Sequence, residues 1–393
     1  MAFVNRPTTS SPKVPLLNVV ADNAPQRDAI VEALTEVVDS GRFLFGPDVA
    51  QLENEIAALS QADNAVACAS GSDALLLSLM ALGIGPGDEV IVPSFTFFAT
   101  VSCVTRLGAT PVFVDIRKDT FNVDPERIAD AITPKTRAII PVHLFGQCAE
   151  MDVIVQMACE KDIVVVEDAA QAIGAAYHSR PAGAWGLTGC FSFYPTKNLG
   201  AMGDAGMITT LDAATANRLR LFAGHGMRPR YYHQVVGINS RMDSFQAAVL
   251  RIKLQRLSDA VESRSRIADR YDRLIADAGL VGDDAITLPH RDPAAHHVWN
   301  QYSLRIAGGR RDDLRNHLGE CGVASEIYYP IPVHRQECYR DLDPPKDPLV
   351  ETDRAAAEIL HLPIFPSLDE ASQCRVVESL TEFYARGKVA SAA

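Results

Sequence analysis

Between Gly189 and Gly206 the sequence reads GCFSFYPTKNLGAMGDAG, and Lys197 is the single cation in that stretch. Its neighbours are Phe191, Phe193, Tyr194, Pro195 and glycines at 200 and 203, not the charges that accompany a solvated lysine. An amine in apolar surroundings loses the hydration of its ammonium form, so its pKa falls. A neutral amine can then add to a carbonyl. The same residue also suits a plain cap on a surface loop, and the segment alone leaves both uses open.

Two other stretches carry chemistry. ASGSDALLLSLM (69–80) passes from an apolar strand run through Ser70-Gly71-Ser72 into helical spacing. Backbone N–H groups at a helix start point outward, and the helix dipole favours an anion there. Gly71 leaves room for a phosphate, and Ser70 or Ser72 can donate a hydroxyl. Asp73 would repel that phosphate, so it is expected to point away. A plain N-cap uses the same residue types. In VVVEDAAQAIGA (164–175) a buried strand ends at Asp168, with Gln171 three residues on. Asp168 can hold a cation or a protonated ring nitrogen, or serve as a cap or salt-bridge partner. Together, a phosphate cradle, a carboxylate and an amine are the three anchors of pyridoxal 5'-phosphate.

The elements that must position these groups show in the periodicity. Strand runs are AVACA (65–69), EVIVP (89–93), TPVFVD (110–115), RAIIPVHL (137–144), DIVVVED (162–168), CFSFY (190–194) and GMITT (206–210). Most are continuously apolar, as strands buried on both faces are. Helical spacing lies between them, as in DALLLSLMALG (73–83) and EMDVIVQMACEK (150–161). The alternation predicts an α/β layered fold around a mostly parallel seven-stranded sheet flanked by helices. In such sheets ligands bind beyond the carboxyl ends of the strands, where all three features fall. Residues 240–279 are almost continuously helical in pattern, as a connector that is kinked or broken in two. Beyond it, HHVWNQYSLRI (296–306) and ASEIYYPIP (324–332) read as strands and RDDLRNHLGECG (311–322) as a helix. The expected division is residues 1–255, an N-terminal arm plus the large domain, and residues 256–393, a smaller C-terminal α+β domain.

Composition narrows the class. The 393 residues are 47% hydrophobic and carry a formal charge of -12, which argues against a general nucleic-acid binder. No apolar run reaches membrane-span length, and the N-terminus lacks a signal-peptide core, so a cytoplasmic location without membrane association is expected. The eight cysteines form no C-x-x-C pair and no zinc spacing, which predicts reduced thiols and no metal.

Six motifs in order give the chain a family resemblance: ASGSDAL, VPSFTFFAT (92–100), PVHLFGQ (141–147), VEDAAQAIGA, FSFYPTKNLGAMGDAG and GINSRMDSFQAAVL (237–250). It resembles the DegT/StrS-type nucleotide-sugar aminotransferases, of the aspartate aminotransferase fold (fold type I). The resemblance implies roles by position. Lys197 matches the Schiff-base lysine that also shuttles the proton. Asp168 matches the pyridinium partner, and Gln171 the partner of the cofactor's 3'-oxygen. Gly71, Ser72 and Ser192 match phosphate ligands, and Phe97 the ring stacked on the cofactor. Asn239 matches a residue lent by a neighbouring subunit, with Arg241 a second choice, which implies a homodimer with shared sites. Tyr329 and His334 match the segment that faces the sugar nucleotide, and Arg230 lies in a loop able to meet a diphosphate or to be a solvated surface. SGS stands where SGT is commoner, and Tyr194 where histidine is frequent. A branch of the family has histidine for the lysine and dehydrates sugars, which Lys197 argues against.

The resemblance implies transfer of an amino group from glutamate, leaving 2-oxoglutarate, to the keto group of a UDP- or dTDP-linked 3-keto-hexose in amino-sugar or polysaccharide synthesis. Two alternatives use the same fold: a regulatory or sensor protein that binds the cofactor without turnover, and a sugar dehydratase.

Overall fold

The computed structural model describes residues 14–391. Seven strands form the large sheet: β1 Asn64–Cys68, β2 Glu89–Pro93, β3 Thr110–Val114, β4 Thr136–Ile139, β5 Val164–Asp168, β6 Thr188–Ser192 and β7 Gly206–Thr210. Their order is β1-β7-β6-β5-β4-β2-β3. All neighbours are parallel except β7, which runs antiparallel to both β1 and β6. Helices cover both faces, so β7 is buried throughout and β2 from Val90 onward, as their unbroken apolar runs require.

The reversed strand positions Lys197. Parallel neighbours need a long crossover, whereas an antiparallel neighbour is reached by turning back at the same end of the sheet. The return from β6 to β7 is the loop 193–205, so it stays at the carboxyl end of β6 with Lys197 in it. Register brings the other strand ends alongside. Cys68 of β1 and Ser192 of β6 both pair with Gly206, and Cys190 pairs with Asp168 of β5.

The helical span 240–279 is two helices, Ser244–Leu254 and Leu257–Asp277, broken at Gln255–Arg256. The first packs on the N-terminal helices Arg27–Ser40 and Pro47–Leu59, the second on the final helix Glu370–Ser391. Past the break, β8 Ile286–Thr287, β9 Tyr302–Ile306 and β10 Ile359–Leu362 form an antiparallel sheet in the order β8-β9-β10. Tyr271, Trp299, Tyr302, Leu304, Leu318, Leu360 and Leu380 share its core.

Two expected strands differ. Only Tyr302–Ile306 of the span 296–306 is a full strand, because Trp299 takes a left-handed φ of 52° and bends the chain into the core. Residues 324–332 form no strand. Glu326 makes one bridge to His361, and Pro330 and Pro332 then lack the N–H groups a ladder needs. That segment instead lays Tyr328 and Tyr329 over the carboxyl end of the large sheet. Of the eight cysteines, Cys68, Cys103, Cys148 and Cys190 are buried, and none is disulfide-bonded.

Candidate active site

A cavity of about 600 Å³ opens beyond the ends of β1, β5 and β6. Gly71, Ser72, Phe97, Asp168, Gln171, Ser192, Lys197 and Tyr329 line it together. The helix Gly71–Leu82 starts at its wall. Ser70 caps this helix, its Oγ accepting the Asp73 N–H at 3.1 Å. The cap uses Ser70 Oγ only as an acceptor, and both Ser70 and Ser72 line the cavity with a hydroxyl proton to donate. Asp73 stands outside the wall, as expected. Gly71 is required by packing: a Cβ there would lie 2.6 Å from Ser192 Cβ. A Cβ on Gly206 would lie 2.4 Å from the Ser70 carbonyl carbon and oxygen. Helix start and strand ends are thus in backbone contact, and only glycine fits between them.

Lys197 is held at its backbone, where its N–H donates to the Tyr194 carbonyl at 2.8 Å. Burial lowers its amine from 10.5 to about 8, with the charge of Asp168 pulling the other way. It is the one cationic side chain lining the cavity among the described residues. Asp168 is 5% exposed. Burial raises its carboxyl above the usual range, while bonds from Thr100 and Ala170 and the charge of Lys197 oppose the rise. Thr100 Oγ1 donates to Oδ2 at 2.7 Å, and the Ala170 N–H donates to Oδ1 at 3.2 Å.

Beneath Asp168, the side chain of Glu167 is wholly buried. It accepts the N–H groups of Gly183, Trp185 and Gly186, each at 2.8 Å, and pairs with His143 Nε2 at 3.0 Å. His143 Nδ1 accepts the Ala149 N–H, so Nε2 carries the proton. Gln171 Oε1 accepts the Phe145 N–H at 2.7 Å, and its Nε2 faces the Tyr329 hydroxyl at 3.3 Å. Phe97 is 56% exposed and tilts toward the Tyr329 ring, with centroids 6.0 Å apart.

Three residues named from sequence stand elsewhere in the single chain. Asn239 is exposed, its Oδ1 accepting from Arg241 Nε at 2.7 Å. Arg230 is exposed and lies over the Tyr231 ring at 4.8 Å. His334 is outside the cavity wall, bonded through Nδ1 to buried Ser94 at 2.6 Å. The wall also contains Thr96, Tyr194, Asp204, Gln301 and Tyr328. Of these only Tyr194 stood out in sequence. Thr96 and Thr100 lie within the motif VPSFTFFAT, where the three-residue step from Phe97 to Thr100 was the available signal.

The fit to pyridoxal 5'-phosphate rests on this geometry. The tightly packed Gly71–Ser72 helix start, a buried carboxylate and a deprotonatable amine line one cavity together. This fold and this wall are those of a pyridoxal-phosphate-dependent aminotransferase. The chain belongs to the DegT/DnrJ/EryC1/StrS aminotransferase family, whose model matches residues 25–381. It is 46% identical to a pleiotropic regulatory protein of Geobacillus stearothermophilus, covering 94% of this chain and 98% of that one. It is 43% identical to a dTDP-3-amino-3,4,6-trideoxy-alpha-D-glucose transaminase of Streptomyces venezuelae (96% and 97% covered). It is 42% identical to a UDP-N-acetyl-3-dehydro-alpha-D-glucosamine 3-aminotransferase of Acidithiobacillus ferrooxidans (94% and 97% covered). The crystal structure of S. venezuelae DesV superposes with a TM-score of 0.90 at 43% identity, covering 95% of this chain and 99% of that chain.

Proposed function

We propose that this aminotransferase moves the amino group of glutamate to the 3-keto carbon of a UDP- or dTDP-linked hexose. The observation that carries the reading is the joint placement of Lys197, Asp168 and the Gly71–Ser72 helix start on one cavity wall. Support for the substrate comes from the dTDP- and UDP-3-amino-sugar enzymes, similar over more than nine-tenths of the chain.

When bound, the cofactor supplies a carbonyl for the amine and a ring that takes up the electron pair of the deprotonated substrate carbon. Ser72, Ser192 and the helix N–H groups would hold its phosphate. Asp168 would keep its ring nitrogen protonated, Gln171 would bond its 3'-oxygen, and Phe97 would cover one face. Lys197, partly neutral near pH 8, can take a proton from a substrate carbon and return it elsewhere. Tyr194, Gln301, Tyr328 and Tyr329 would bound the sugar end.

The chain would work as a homodimer, with the partner's copy of Asn239 completing the phosphate site and the loop bearing Arg230 crossing toward the nucleotide. Support comes from the exposure of Asn239 and Arg230, and from the apolar strip Phe43, Leu44 and Phe45, which is exposed in the single chain. The boundary we propose between large and small domains is 255/256, at the helix break. His334 would act by bracing the Tyr329 segment against Ser94.

The test is turnover of cofactor-loaded protein. Glutamate alone should release one 2-oxoglutarate per site, and a keto nucleotide sugar should then gain an amine by mass. Lys197→Ala should abolish both. Loss of oxygen without gain of nitrogen would instead mark a dehydratase. A second reading, cofactor binding without turnover, is favoured by the likeness to the regulatory protein. It predicts cofactor binding with no 2-oxoglutarate released.

A further inference from the structure

A buried chain of hydroxyls runs from the cavity wall to Asp168. Thr96, which lines the cavity, is 2% exposed, and Thr100 behind it is fully buried. Their Oγ1 atoms are 2.9 Å apart, and Thr100 Oγ1 is 2.7 Å from Asp168 Oδ2. Each hydroxyl has one proton to give. A carboxylate only accepts, so the Thr100 proton goes to Asp168, and Thr100 must then accept the proton of Thr96. The direction of the chain is fixed: Thr96 to Thr100 to Asp168. Each donor polarises the next, which strengthens the last bond in this dry setting.

Asp168 therefore receives one fixed donor on each oxygen, Thr100 on Oδ2 and the Ala170 N–H on Oδ1. Both donors favour the anion, against the burial that favours the neutral acid. Around the carboxylate, Lys197 supplies positive charge, His143 lies near it as a neutral imidazole, and Tyr329, Cys103 and Cys190 lie near it as neutral acids. Glu167, next in sequence, turns to the opposite face and is occupied by His143 and three backbone N–H groups.

We propose that Thr100, relayed by Thr96, is the positioning residue that keeps Asp168 ionised and aimed into the cavity, and so sets the proton affinity of the group Asp168 holds there. The inference rests on the reading of Asp168 as the partner of the cofactor's ring nitrogen. A ring nitrogen facing an anion stays protonated; facing a neutral acid it does not, and the proton stays on Asp168. Thr100 touches neither substrate nor cofactor and acts through Asp168 alone.

The test compares Thr100→Val, Thr100→Ser and Asp168→Asn, each loaded with pyridoxal 5'-phosphate. Three quantities are read: the pH midpoint of the cofactor's visible absorbance, the cofactor Kd, and the pH profile of kcat with glutamate. Valine keeps the shape of threonine and removes the donor. It should displace the absorbance midpoint by about one pH unit or more, and lower kcat roughly 10- to 100-fold, the worth of a hydrogen bond to a charged group. Serine, which keeps the hydroxyl, should restore the wild-type midpoint. A merely structural role for Thr100 would lower stability in Thr100→Val and leave the midpoint in place; that result overturns the inference. If the midpoint and Kd are unmoved in Asp168→Asn as well, the reading of Asp168 falls. If Asp168→Asn moves them and Thr100→Val does not, only the role of Thr100 falls.

Discussion

Replacing Lys197 with methionine should make the cofactor-free protein more stable, and the gain should depend on pH. Lys197 sits half-buried with its amine lowered from 10.5 to about 8. Burial is the dominant cause, and Asp168 recovers only part of the lost hydration. The gap between 10.5 and about 8 corresponds to about 3 kcal/mol against the protonated folded chain. Partial exposure of the side chain trims the expected gain to roughly 2–3 kcal/mol. The sign follows from proton counting. Below pH 8 both folded and unfolded chains carry the proton, so the whole penalty is present. Between about 8 and 10.5 the unfolded chain binds more protons, so wild-type stability rises with pH; above 10.5 the penalty is gone. Methionine has similar length, fills the same space and carries no charge. Lys197→Met should therefore exceed wild type by roughly 2–3 kcal/mol near pH 7, with the two curves converging toward pH 10.5. Equilibrium urea unfolding of the cofactor-free chain, stepped from about pH 7 to about pH 10, measures this directly. A variant no more stable than wild type at neutral pH, or a difference that does not change with pH, would refute the reasoning.

Other perturbations test the surrounding parts. Gly71→Ala places a Cβ 2.6 Å from Ser192 Cβ, about 1 Å inside normal contact. The helix start must back away, at a cost of about 1–3 kcal/mol, and cofactor Kd measured by absorbance titration should rise about 5- to 150-fold. Glu167→Ala strips three backbone N–H groups and His143 of their acceptor. About 3–5 kcal/mol of stability should be lost in urea melts, more than for an exposed carboxylate such as Glu262. Lys197→Ala and Asn239→Ala chains should each be inactive, while dimers formed from a mixture should regain about a quarter of wild-type turnover, since each mixed dimer rebuilds one intact site. No recovery on mixing would place Asn239 outside a shared site.

The large sheet was legible because its strands are buried on both faces and so read as unbroken apolar runs. GMITT and EVIVP match their strands to the residue. The C-terminal part was less legible. ASEIYYPIP has the composition of a strand, yet its prolines cannot join a ladder, and its tyrosines have a better burial site over the sheet end. Spacing alone left Ser70 and Ser72 equivalent; the family resemblance singled out Ser72, and the structure shows Ser70 as the helix cap. Thr100 gave only the faint signal of its three-residue step from Phe97, because a buried threonine in an apolar motif looks like core until its hydroxyl partner is known.

The sequence by itself determined the chemistry present: one lysine in apolar company, one acid at a strand tip, one glycine-flanked helix start. Each follows from local composition and spacing, which a linear chain displays. Tertiary structure alone decided which of them meet and in what electrical state. The antiparallel insertion of β7 turns the loop 193–205 back over the sheet. The shared register of Cys68, Gly206 and Ser192 closes the cradle. Burial then lowers Lys197 and raises Asp168. Proximity and desolvation depend on residues far apart along the chain, and neither exists until the sheet has formed.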